Sequence, residues 1–131
     1  MILDTSFVED VARQDRAALV RADELTANGI PERLSAMTVY ELYWGVGYVE
    51  TPQTEKDVVD AVLETKEIYD ITPEIARKAG RIAGHLASEG QPLNDPGDEL
   101  IGATGVVHDE PVLTKNVGHF ERIPGLEVKT C

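Results

Sequence analysis

Short apolar runs alternate with helical stripes along the chain. Met1 to Asp4 is an apolar run closed by an acid, the pattern of a buried strand. From Thr5 to about Val11, Phe7, Val8 and Val11 recur at helical spacing. A second helix is predicted from Asp15 to Asn28, with Ala18, Leu19, Ala22, Leu25 and Thr26 on its apolar side and Asn28-Gly29 as its stop. Arg33 to Ala36 reads as a strand, followed by a helix from Thr38 to about Val49. Another helix fits Thr54 to Lys66, with Val58, Val59, Val62 and Leu63 facing inward, and Ile68 to Ile71 reads as a strand. Pro73 opens a long helix whose stripe is Ile75, Ala76, Ala79, Ile82, Ala83 and Leu86, ending at Gly90. Pro96 opens the next, burying Leu100, Ile101, Ala103, Thr104 and Val107. Val112 to Thr114 and Leu126 to Lys129 are the last strands, flanking a helical turn around Val117 to Phe120. Strands separated by helical stretches predict an α/β sandwich: a central, mainly parallel sheet covered on both faces, within a single domain spanning 1–131.

Composition changes this picture in one respect. The hydrophobic share of 42% supports a core, but 24 Asp and Glu stand against 12 Lys and Arg, for a net charge of -12. Only Lys56, Lys66, Lys78, Lys115 and Lys129 are lysines. An acidic, lysine-poor surface suits a halophilic cytoplasm, where salt screens self-repulsion. The same charge opposes a nucleic-acid partner at ordinary ionic strength, because counterion release offers an anionic protein little affinity. Cys131 is the sole cysteine, so no internal disulfide is expected. No apolar run is long enough to span a membrane and no signal-peptide pattern opens the chain, which makes the cytoplasm the expected location.

The candidate chemistry lies in the acids. Ligands of open α/β sheets gather at the carboxyl ends of the strands. Asp4 ends the first strand, Glu41 sits one turn into the helix after the second, Asp98 lies in the first turn of the helix opened by Pro96, and Asn116 follows the penultimate strand. One sheet edge could gather all four. Oxygen ligands without His or Cys spacing suit Mg2+ or Mn2+ rather than zinc. Each residue also has a local reading. Thr38 and Glu41 have capping-box spacing, Asp4 or Thr5 could cap the first helix, Asp95 the helix holding Asp98, and Asn116 the turn after it.

Three segments in order carry a family resemblance: MILDTSFVED, LSAMTVYELYWGV and DELIGATGVVHDEPVLTKNVGHFERIPGLEV. Together they resemble the PIN-domain family, specifically VapC-type toxins of toxin–antitoxin pairs, from Met1 to Val128. The resemblance implies a PIN-like three-layer α/β/α sandwich and a Mg2+-dependent endoribonuclease. Asp4, Glu41 and Asp98 match the family's acidic ligands and Asn116 its fourth position. Ser6 and Thr114 match supporting polar positions, and Asp95 belongs to the same loop. A homodimer and an antitoxin whose tail inserts a basic residue among the acids are implied as well. Gly102 and Gly105 stand where alanines are usual, which would loosen an exposed helix by about 1 kcal/mol each.

On this reading Asp4 and Asp98 bind the metal, Glu41 orients or deprotonates the attacking water, and Asn116 bonds a metal water or a phosphate oxygen. Because Asn116 removes one carboxylate, a single well-held Mg2+ is expected. RNA contacts fall to Lys115, Arg122 and Arg13, with Arg16 and His119 as further candidates. Arg13 and Arg16 are read first as a solvated helix face or a contact with the antitoxin. Tyr40, Tyr43, Trp44 and Tyr48 share one helix, and Trp44 is read as core or dimer interface rather than as a base-stacking platform. The alternatives are a PIN nuclease of RNA maturation, a catalytically silent PIN binding module, and a receiver-like phosphoacceptor, which the single acid at the first strand disfavours.

Overall fold

A computed structural model describes residues 1–131. Its elements are β1 (Ile2–Leu3), α1 (Thr5–Ala12), α2 (Arg16–Ala27), β2 (Arg33–Ser35), α3 (Ala36–Tyr48), α4 (Pro52–Leu63), β3 (Glu67–Tyr69), α5 (Pro73–Ser88), α6 (Pro96–His108), β4 (Val112–Thr114), α7 (Val117–Phe120) and β5 (Val128–Thr130). The strands form one five-stranded sheet in the order β3-β2-β1-β4-β5, and every pairing is parallel. The chain adds β2 and β3 on one side of β1, then β4 and β5 on the other. The direction of winding therefore reverses between β1 and β4, where a ligand crevice opens in such sheets.

Alternation within the short strands splits the core in two. Ile2 and Val112 face α5 and α6, with Ile75, Ile82, Leu86, Ile101 and Phe120. Leu3, Leu34 and Leu113 face the opposite layer, with Phe7, Val8, Leu25, Leu42, Val46 and Val59. Neighbouring residues of one strand thus serve separate layers, giving the expected α/β/α arrangement. Each fully buried large side chain, such as Phe7 or Phe120, contributes about 1.5–3 kcal/mol of transfer free energy.

Element ends differ from the sequence-based expectation for local reasons. The third helix begins at Ala36, not Thr38, because Ser35 ends β2 and its Oγ accepts from the Met37 amide at 3.0 Å. The capping box is therefore not formed. α4 begins at Pro52, two residues before the expected Thr54, with its proline at a favoured first position. β3 ends at Tyr69 instead of Ile71, since Thr72 already caps α5 through its hydroxyl. β5 begins at Val128 rather than Leu126, whose side chain packs on the α5–α6 core.

The predicted stripes hold in part. Val59 is buried, but Val58 is exposed, and Ala76 faces solvent. Gly29 takes φ +65 after α2 and lets the Gly29 and Ile30 amides close back on Thr26 and Leu25. Gly102 and Gly105 correct another expectation. Both are buried, and an added Cβ would sit 2.3 Å from Ile123 Cδ1 at Gly102 and 2.9 Å from the Glu110 carbonyl oxygen at Gly105. They allow close packing against the 123–126 turn and do not loosen an exposed helix.

Candidate active site

Asp4 reaches the site because β1 ends at Leu3 and the chain turns at once into α1. Its Oδ1 accepts from the Thr5 amide at 2.8 Å, so it caps the helix as its local reading requires. Its Oδ2 accepts from Ser6 Oγ at 3.1 Å and from Thr114 Oγ1 at 2.7 Å. These two hydroxyls fix the orientation of the Asp4 carboxylate. Thr114 ends β4, so this last bond ties the two strands together at the winding reversal. Its hydroxyl also accepts from the Asn116 amide at 2.8 Å.

Asp98 lies in the first turn of α6 and is buried, as is Asp4. Asp95 caps that helix, its Oδ1 accepting from the Asp98 amide at 3.2 Å. Asn116 precedes α7 without a side-chain cap bond and instead donates from Nδ2 to Asp98 Oδ2 at 3.3 Å. His119 Nδ1 lies 2.8 Å from the same oxygen. Burial, opposed by the His119 hydrogen bond and reinforced by Asp4 and Asp95, pushes the Asp98 carboxyl up to about 6.

Glu41 enters from α3. Its Oε1 accepts from Thr5 Oγ1 at 2.7 Å, and the Thr5 hydroxyl lies 2.9 Å from that of the fully buried Thr38. Because Thr5 donates to the carboxylate, Thr38 is left to donate to Thr5. Burial raises the Glu41 carboxyl against the Thr5 hydrogen bond, with Asp95, Asp4 and Asp98 adding to the rise. Gly97 leaves room for this arrangement, since a Cβ there would stand 2.9 Å from Glu41 Oε2 and 3.2 Å from Asp95 Oδ1.

Asp4, Glu41, Asp95, Asp98 and Asn116 thus converge from four helix starts and two strand ends. No lysine or arginine figures among the main influences on Glu41 or Asp98. Ligand atoms of Asp95, Asp98 and His119 lie within 4.8 Å of one another, a span one cation can bridge. Asp4 is outside that group, although its charge acts on Asp98. The oxygen-only donor set expected from sequence has a histidine nitrogen at its side. The carboxylate oxygens fit Mg2+ or Mn2+, with the His119 imidazole bonded to the Asp98 carboxylate.

The expected RNA-binding residues are scattered. Lys115 turns to an ion pair with Asp10 on α1. Arg122 is exposed and donates to the Pro92 carbonyl at 3.3 Å. Arg13 is exposed at the end of α1, beside a cleft that reaches Glu41 and Trp44, and Arg16 is exposed at the start of α2. Trp44 is 61% exposed, which removes it from the core; Tyr40 and Tyr48, at 63% and 76%, continue its stripe.

Sequence reasoning underweighted Thr5, Thr38 and His119. Thr5 was visible as the middle residue of Asp4-Thr5-Ser6. The contacts of Thr38 and His119 depend on helices brought together by folding.

The PIN domain family model matches residues 1–126. Ribonuclease VapC19 of Mycobacterium tuberculosis is 36% identical over 96% of both chains. The tRNA(fMet)-specific endonuclease VapC of Salmonella typhimurium is 32% identical over 73% of this chain and 72% of its own. Among solved structures, DNA-bound VapBC from Salmonella typhimurium superposes with a TM-score of 0.86 at 26% identity, covering 98% of this chain and 96% of that one. The parallel five-stranded sheet, the acids at its carboxyl edge and these likenesses place the chain in the PIN-domain family, among the VapC ribonucleases.

Proposed function

We infer that the chain is an RNA-cleaving endonuclease, the toxin of a toxin–antitoxin pair, acting with a divalent cation that we take to be Mg2+, with Mn2+ able to replace it. The observation that carries this reading is the carboxylate cluster of buried Asp4 and Asp98 with half-buried Glu41 and Asp95, in which no lysine or arginine is among the main influences on Glu41 or Asp98. Asp4 and Asp98 are the proposed ligands, with Asp95 within reach of the same ion. Bound there, the cation would lower the pKa of a water and stabilise charge on the scissile phosphate.

The chain's own groups do the rest. Glu41, its carboxyl raised by burial and like charge, takes the proton of the attacking water, a task suited to a base of raised pKa. Thr5 holds one Glu41 oxygen and leaves the other free. His119 and Asn116 both bond Asp98 Oδ2 and thereby orient its carboxylate. Asn116 also offers an N–H to a phosphate oxygen. Lys115, Arg13 and Arg122 are proposed to meet the RNA backbone away from the acids, Lys115 after leaving Asp10.

The likeness to a VapBC structure supports an antitoxin as the protein partner, and a basic antitoxin side chain would find charge-assisted bonds among these acids. A homodimer, a single domain over 1–131, a cytoplasmic setting and a high-salt cell complete the proposal. No helix is long and apolar enough to cross a membrane. The test is cleavage of single-stranded RNA in Mg2+, Mn2+ and EDTA. Cleavage should require the metal and disappear in Asp98→Asn and in Asp4→Asn; activity that survives EDTA or either variant overturns the assignment.

A further inference from the structure

The open cleft beside Glu41 has a volume of about 510 Å³ and is lined by Thr5, Glu9, Tyr40, Glu41, Trp44 and Asp95, among others, with no lysine or arginine. It is continuous with the acid cluster through Glu41 and Asp95, so RNA bound at the acids has this wall beside it. Phosphate finds no cation here. A nucleobase is neutral, flat and edged with N–H donors, which the cleft's aromatic rings and carboxylates complement.

Tyr40, Trp44 and Tyr48 recur every fourth residue on α3, and Trp44 stacks on Tyr48 with ring centroids 5.1 Å apart and planes 15° from parallel. Tyr48 covers one side of the exposed Trp44 ring. Glu9 lies one turn beyond Thr5 on the same face of α1 and also lines the cleft, while the adjacent Asp10 is taken up by Lys115.

We propose that this cleft seats one unpaired nucleobase of the RNA, stacked on Trp44, and that the Glu9 carboxylate selects guanine there. The proposal rests on the ribonuclease reading above and adds the base next to the cleavage site. An ionised carboxylate only accepts, and its paired oxygens match the parallel N1–H and N2–H donors of guanine. Uracil offers one such donor, and the adenine and cytosine edges mix a donor with an acceptor that the carboxylate repels. Unpaired bases are read in this way, by aromatic stacking and Watson–Crick-edge hydrogen bonds. Stacking is also insensitive to the net charge of -12, which would otherwise oppose RNA binding.

Trp44 is the sole tryptophan, so its emission reports on the cleft directly. In metal-free buffer, where no turnover occurs, the pentanucleotide UUGUU should quench that emission and bind about ten-fold more tightly than UUAUU. Glu9→Gln should reduce this preference below about two-fold while quenching persists. In the Mg2+ cleavage assay, Trp44→Ala should raise KM about ten-fold, with the larger change in KM rather than kcat.

RNA cleavage in Mg2+ with Trp44 emission unmoved by UUGUU, or a guanine preference unchanged by Glu9→Gln, overturns the base pocket and leaves the ribonuclease reading standing. Absence of Mg2+-dependent cleavage by the unaltered protein overturns the reading beneath it. Trp44 shielded from acrylamide in the free protein would make the stripe an interface with another protein chain, and that also overturns the pocket.

Discussion

Asp98 shows how one buried carboxyl joins function to stability. Its pKa rises from the ordinary 3.8 to about 6, chiefly through burial. The folded state therefore holds this proton more tightly than the unfolded chain, so the Asp98 contribution to stability is greatest below about pH 4 and is lost as pH climbs through the window to about 6. Above that window the ionised acid costs of the order of 1–3 kcal/mol. Asp98→Asn should then raise the Tm of the metal-free protein at pH 7 and leave it nearly unchanged at pH 3.5, while cleavage drops by more than about 100-fold. Thermal melts in EDTA at the two pH values check the first half, and a lower Tm at pH 7 would show that the Asp98 bonds outweigh its burial. Gly97 makes a second residue-scale point. A methyl at position 97 displaces the Glu41 and Asp95 carboxylates, so Gly97→Ala should lower kcat at least about 10-fold with the fold intact by circular dichroism.

At the scale of elements, α6 and the strand starts carry the testable claims. Replacing a helical glycine by alanine ordinarily stabilises by about 1 kcal/mol. At Gly102 the new methyl meets Ile123 Cδ1, and the sign should reverse to a loss of about 1–3 kcal/mol. Adding Ile123→Val, which removes that methyl, should recover most of the loss in denaturant titrations. An additive double variant would break this account.

Glu110 lies before β4 and ties the starts of β1 and β2 to the tyrosine that ends β3. It bonds the Met1 ammonium at 2.7 Å, Arg33 Nη1 at 2.9 Å and the Tyr69 hydroxyl. Burial pushes its carboxyl up, but these partners together hold it down at about 2 against the ordinary 4.5. Its stabilisation is present above about pH 4.5 and disappears as pH falls toward 2. Glu110→Gln should cost about 1–3 kcal/mol at pH 7 and progressively less below pH 4. This contact stands at the amino ends of the strands, opposite the acids, so cleavage at a temperature where the variant is folded should be unchanged.

For the whole molecule the governing quantity is the charge of -12. Self-repulsion of that size is screened as the Debye length shrinks to about 3 Å at molar salt. The Tm should rise by several degrees between about 0.1 M and about 2 M KCl, measured by calorimetry at constant pH. A Tm that is flat or falling would remove the case for a high-salt cell. The same screening should help RNA approach an acidic protein, so KM for RNA should fall or stay level over that range, where a basic nuclease would lose affinity with salt.

The sequence alone determined the element order and the layered α/β plan, because strands buried on both faces read as apolar runs and helices as stripes, and neither needs a partner to be seen. It also placed Asp4, Glu41, Asp98 and Asn116 at strand ends or helix starts, since the residue that closes a strand is a local property of the chain. Tertiary structure decided the rest. Whether Trp44 was core, interface or cleft wall depended on what packs beside α3, and nothing in its own spacing records that. His119 met Asp98 because α7 follows β4, the strand adjoining β1, and Thr38 left its capping role because β2 ended at Ser35. The glycines of α6 looked like weak points until Ile123 and the Glu110 carbonyl were seen where side chains would have been. For His119 and Asp98, and for Gly102 and Ile123, the deciding contact joins residues far apart in the chain, and such contacts exist only once the sheet order is set.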